Sequence, residues 1–138
     1  NIDGEWHYTD GKPSQKLCDR LNARRDNQIM AFESLAIALG TSTFEKELRG
    51  RKVVVYNDNK AAEASSWKGS AKCWDHSQIV HDVWTHAFLN RIFLWVERVS
   101  TKHNISDLPS REEYELMRDI KAVWRPPVIS PLFLEDVF

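Results

Sequence analysis

An α/β layer structure, helices packed on a sheet, is what this chain of 138 residues predicts. Segments with a helical period alternate along it with short apolar runs of strand character. Residues 53–56 (VVVY) form a continuous β-branched and aromatic run, the mark of a strand buried on both faces in a parallel sheet. Ile79, Val80, Val83, Trp84, Ala87 and Phe88 fall on one stripe of a helix, the best amphipathic pattern in the chain.

The elements follow in order. The first 27 residues are polar. Glu5-Trp-His-Tyr-Thr9, followed by Asp10-Gly-Lys-Pro13, reads as a strand end and a tight turn. Residues 14–26 carry no clear period and are assigned to a strand. Asp26 or Asn27 then caps a helix from about residue 28, whose apolar positions Ile29, Phe32, Leu35, Ala36 and Leu39 recur at three and four. Phe44 and Leu48 keep the period, which carries the helix to about residue 48, closed by Gly50. After the VVVY strand, NKAAEASSW from Asn59 is a short helix broken by Gly69. Asp75 or Ser77 starts the amphipathic helix, and residues 92–99 (IFLWVERV) form a second strand. Ser110-Arg-Glu-Glu113 fits a capping box for a final helix through about residue 123. Trp124-Arg-Pro-Pro127 stops regular structure, so residues 1–118 are read as the domain and 119–138 as a C-terminal extension or linker.

Composition narrows the function. The length suits one domain with a real core and is too short for two. No stretch approaches the roughly 18 to 20 apolar residues that span a bilayer, so no membrane partner is expected. No signal peptide or initiator Met is visible, which reads as a fragment, a processed product or an excised domain. A net charge of −1 excludes a strongly basic nucleic-acid binder but leaves local patches open. Between Glu45 and Lys72 seven basic residues stand against four acidic ones, a mild basic bias. Cys18 and Cys73 show no metal-type spacing and suit a reducing, intracellular compartment.

Three carboxylates carry the chemistry. Glu33 is the one charged residue between Gln28 and Phe44, with Ile29, Met30, Ala36 and Ile37 three and four residues away. A carboxylate there needs a partner, a metal or a task. Asp58 ends the VVVY strand just before a helix, and ligands of open α/β sheets bind at that edge. It can also cap the helix, but Asn57 and Asn59 cap equally well. Asp107 follows the second strand through a polar loop and sits in the first turn of the last helix, where the macrodipole also favours an acid. Two strands of one sheet and its packed helix can bring all three to one edge. Carboxylates converging without a basic partner cannot all stay ionised unless a cation is present, and hard oxygen donors select Mg²⁺ or Mn²⁺.

Other candidates are plainer. His76, His81 and His86 repeat every five residues, so they spiral around a helix and read as surface or boundary histidines. His103, four residues before Asp107, is placed to shuttle protons or to be a plain loop histidine. Trp67-Lys68-Gly69 and Lys72-Cys-Trp74 set aromatics among basic residues, as stacking on nucleic acid requires, but the preferred reading of six Trp in one chain is that they serve the core.

The words AFESLAIALGTSTFEKELRGRKVVVYNDNKAAEA and IFLWVERVSTKHNISDLPSREEY resemble the ribonuclease H-like domain of retroelement reverse transcriptases, of the type found in fungi. The matching set is a helix Glu, an apolar strand ending in Asp-Asn, and Asn-x-x-Asp-x-Pro-Ser-Arg; it covers about Asp3 to Tyr114. The resemblance implies a ribonuclease H-like mixed sheet flanked by helices. It also implies that Glu33, Asp58 and Asp107 are catalytic and hold two Mg²⁺ or Mn²⁺ ions that cut the RNA strand of an RNA–DNA hybrid, leaving a 3′ hydroxyl. Asn59 and Asn104 would flank that site, and Lys60, Lys68, Lys102, His103 and Arg111 would join them in contacting nucleic acid. The rest of a reverse transcriptase polyprotein is an implied partner.

The chain also departs from that family. The family's first strand bears another metal-binding Asp, and here it would lie before residue 1. Asp3 and Asp10 are the available substitutes, each beside a Gly in a turn-like context. With three ligands of four, the alternative is an inactive, domesticated relative that binds nucleic acid or a protein. An integrase or transposase ranks last, because those order their acids Asp, Asp, Glu.

Overall fold

The computed structural model describes residues 1–22, 29–69, 74–131 and 133. Leu17 and Leu21 are four apart and both buried, which makes one face of a helix: α1 runs Gln15–Asn22 where a strand was expected. The Ser14 hydroxyl accepts from Leu17 N at 3.2 Å and caps its first turn. Residues 23–26 of that expectation, and the proposed Asp26 or Asn27 cap, lie outside the described residues.

The long helix divides into α2 (Ile29–Thr43) and α3 (Glu45–Leu48). The seam is Phe44, whose φ of −102° and ψ of 18° leave the helical basin. Its N–H still reaches Gly40 O and its carbonyl Leu48 N, so the axis bends rather than restarts. Gly50, at φ +75°, then turns the chain toward the sheet.

Strands β2 (Lys52–Asn57) and β3 (Phe93–Arg98) pair in parallel, with Val53 opposite Leu94 and Val55 opposite Val96. Their inner residues join Ile37 and Ala38 of α2 and Val83 and Ala87 of α5 (Trp74–Leu89) in the main core. Leu17, Leu21, Ala31, Leu35 and Ile79 build a second cluster on the other side of α2. Burial of the VVVY strand on both faces is not found. Val54, Tyr56, Phe93 and Trp95 are each at least 52% exposed, because among the described residues the helices cover one face only. No described strand pairs with the free edge of β2, while the far edge of β3 is met by the Trp67 indole, which donates to Val96 O at 2.9 Å.

Helix α4 (Lys60–Lys68) is as expected, from Asn59 to a left-handed Gly69. On α5 Ile79, Val80, Val83 and Ala87 of the stripe are buried and Trp84 partly so, while Phe88 is 82% exposed. His76 and His86 are buried rather than at the surface or boundary as expected; of the three only His81 is exposed. His86 Nε2 lies 3.0 Å from Glu45 Oε2, the partner that makes a buried imidazole tolerable. Of the six Trp only Trp84 is partly buried in the core; Trp6, Trp67, Trp74, Trp95 and Trp124 are exposed.

The capping box does not form. Ser110 Oγ donates back to Asp107 O, Glu112 has φ +63°, and two short helices result, α6 (Asp107–Ser110) and α7 (Glu115–Asp119). The chain then returns: β4 (Val123–Trp124) pairs in parallel with β1 (His7–Tyr8), and Phe133 enters the main core against the His86 ring. The described structure is thus mixed α/β with two small parallel sheets. No described helix is long and apolar enough to cross a membrane.

Candidate functional site

The carboxyl ends of β2 and β3 open on one edge, and three elements deliver acids to it. Strand alternation turns Val53, Val55 and Asn57 inward, so Asn57 is buried at the last step of β2. Its Nδ2 donates to Glu33 Oε2 of α2 at 3.3 Å, and its Oδ1 accepts from Asn59 N at 2.7 Å. Asn59 in turn caps α4, accepting from Ala61 N at 2.9 Å and Ala62 N at 3.1 Å. Asp58, between these two structural asparagines, is half-buried and left to face the edge.

Asp107 arrives from β3 by way of a 3-10 turn at Thr101–His103. Asn104 Oδ1 accepts from Ser106 Oγ at 2.6 Å and Ser106 N at 3.3 Å, a local turn that sets Asp107 at the start of α6. One turn later Arg111 donates from Nη2 to Asp107 Oδ2 at 2.9 Å.

Electrostatics links the three. Burial raises the proton affinity of the half-buried Glu33 carboxyl; the Asp58 charge adds to the rise, the Asn57 hydrogen bond opposes it, and the Asp107 charge adds again. Glu33, Asp58 and Asp107 therefore share one electrostatic neighbourhood. Among the described residues no three His, Cys, Asp or Glu side chains close around one point as ion ligands. The donor chemistry, hard carboxylate oxygens in excess of cations, nonetheless fits Mg²⁺ or Mn²⁺, with Glu33, Asp58 and Asp107 as the residues to hold it.

The remaining candidates are placed unevenly. Lys60 opens α4 beside Asp58 and is exposed; Lys102 and His103 lie exposed on the 3-10 turn, with His103 Nδ1 2.7 Å from Ser100 Oγ. Lys68 is at the far end of α4, about 12 Å along the axis from Lys60, and does not join them. Lys72 and Cys73 lie outside the described residues. Asp3 pairs with Arg51 at 2.7 Å, and Asp10 accepts from Tyr114 Oη and Trp124 Nε1, so neither substitute reaches the site. Asn57 was absent from the expected site residues. The signal for it was its parity with Val53 and Val55, which aims it at α2. No family model, curated protein or solved structure matches the chain.

Proposed function

We propose that this chain is a ribonuclease H-like domain of retroelement type that hydrolyses the RNA strand of an RNA–DNA hybrid with two divalent ions. What supports the reading is that Asp58 directly follows β2 of a parallel pair, that Asn57 beside it donates to Glu33 of α2, and that the charges of Asp58 and Asp107 add to the effect of burial in raising the proton affinity of Glu33. When bound, two such ions lower the pKa of an attacking water and stabilise the leaving 3′ oxygen. The chain's own part is to supply hard oxygens from α2, β2 and α6, with Asn57 fixing Glu33 and the Asn104 turn fixing Asp107. Lys60, Lys102 and His103 stand exposed around that edge, where the phosphates of a hybrid recognised by shape would pass. Such an activity belongs inside the cell, alongside the rest of a reverse transcriptase polyprotein.

Asp58→Asn tests this directly. It should abolish metal-dependent cleavage of a labelled hybrid without lowering the melting temperature, because the neighbouring asparagines carry the local structure and the lost charge only relieves repulsion of Glu33. Full activity in that variant sinks the assignment.

A second reading, an inactive relative that binds nucleic acid or a protein partner, is favoured by the commitment of Asp3 and Asp10 to other partners, so that neither joins Glu33, Asp58 and Asp107. A folded chain that retains the hybrid but cuts it with neither Mg²⁺ nor Mn²⁺ would establish that reading instead.

A further inference from the structure

We propose that Arg111 is an exchangeable counter-ion of the carboxylate edge, holding Asp107 while no divalent cation is bound and passing to a substrate phosphate when one is. The inference rests on the metal-dependent reading above and adds to the nucleic-acid contact expected of Arg111 a second, alternating partner, Asp107, that the reading does not contain. Among the described residues Arg111 is the cation paired with this group: its Nη2 lies 2.9 Å from Asp107 Oδ2, and no Lys or Arg acts on Glu33.

The geometry suits exchange. The Arg111 side chain is 64% exposed and that of Asp107 27%, so the guanidinium can leave the carboxylate without disturbing packing. What Arg111 does for α6 it does through its backbone N–H, which donates to Leu108 O at 3.0 Å, so the helix end survives departure of the side chain. A divalent ion held by Asp107 would compete with the guanidinium for that carboxylate and repel it. Once released, the planar fork matches a phosphate, for which it offers two parallel donors. Arg111 thus lowers the affinity of the empty edge for cations and raises that of the loaded edge for polyanions.

The test uses the full 138-residue chain as wild type, Arg111→Gln and Arg111→Lys. Calorimetric titration with Mn²⁺ in the absence of nucleic acid should show the Gln variant binding about twofold to fivefold tighter than wild type, the competition expected of an exposed ion pair. The Lys variant should fall between them. Binding of an RNA–DNA hybrid in Ca²⁺ should move the opposite way, weaker in the Gln variant, with the salt slope of log K reduced by about 1 for the lost phosphate contact. Equal or weaker Mn²⁺ affinity in Arg111→Gln, or an unchanged salt slope, overturns the exchange while leaving the metal site standing. A wild type that binds no Mn²⁺ overturns both the exchange and the reading beneath it.

Discussion

Replacing Asn57 with Asp alters a single atom at the centre of the edge. The oxygen that accepts from Asn59 N at 2.7 Å is kept, so the turn into α4 retains its tie. The nitrogen that donates to Glu33 Oε2 at 3.3 Å becomes a carboxylate oxygen. The lost bond to a charged group is worth about 1.5–3 kcal/mol, and one this long belongs at the lower end. The new like charge repels Glu33 by on the order of 4–5 kcal/mol at an effective dielectric of 20, a cost the pair limits by sharing a proton. Asn57→Asp should therefore lose about 3–5 kcal/mol in EDTA at neutral pH, lowering Tm by on the order of 10–20 °C. A divalent cation at 100 times its Kd returns about 2.7 kcal/mol, and the variant, with a fourth carboxylate, should gain more from it than wild type does. Thermal unfolding in EDTA and in Mg²⁺ reads both quantities. A variant as stable as wild type in EDTA would refute the claim that Asn57 holds Glu33. One that is weakened, yet gains no more from Mg²⁺ than wild type, would refute the claim that the edge takes a cation.

Two further outcomes follow from the same electrostatics. The raised Glu33 carboxyl means that the folded chain holds a proton there more tightly than the unfolded chain, so its contribution to stability falls as pH rises through and above the ordinary carboxylate range. Metal-free Glu33→Gln should accordingly melt above wild type at neutral and alkaline pH and together with it in acid; a difference independent of pH counts against the placement of Glu33. The Tyr114 hydroxyl, donating to Asp10, has its pKa pushed up to about 12. Absorbance titration should show a tyrosine still protonated at about pH 11, and Asp10→Asn should bring its pKa down; absence of that late phase counts against the Asp10–Tyr114 bond.

Periodicity and turn chemistry made much of this structure legible. The Asn59 cap, the Gly69 stop, most of the α5 stripe and the parallel pairing of β2 with β3 all follow from local residue types. The errors arose where the deciding partner was distant. Leu17 and Leu21 are too few to display a period, and they become a helix face because Leu35 and Ile79 cover them. The VVVY run is as apolar as a doubly buried strand, yet what covers each face depends on the layers around it. His86 reads as a surface residue until Glu45, from another helix, is found beside it. Ser110 and Glu113 have the spacing of a capping box, but Ser110 bonds backward within α6.

Asn57, Asp58 and Asn59 divide their work in a way that bears on how such a chain changes over generations. The outer two side chains are bound into the turn, and the middle one is not. A single-base change that makes Asp58 an asparagine would therefore go unnoticed by the folding machinery and by proteases that remove unstable chains. Under the proposed function, copies of this domain would lose cleavage without losing their fold, and an inherited copy would persist as a folded body after the change.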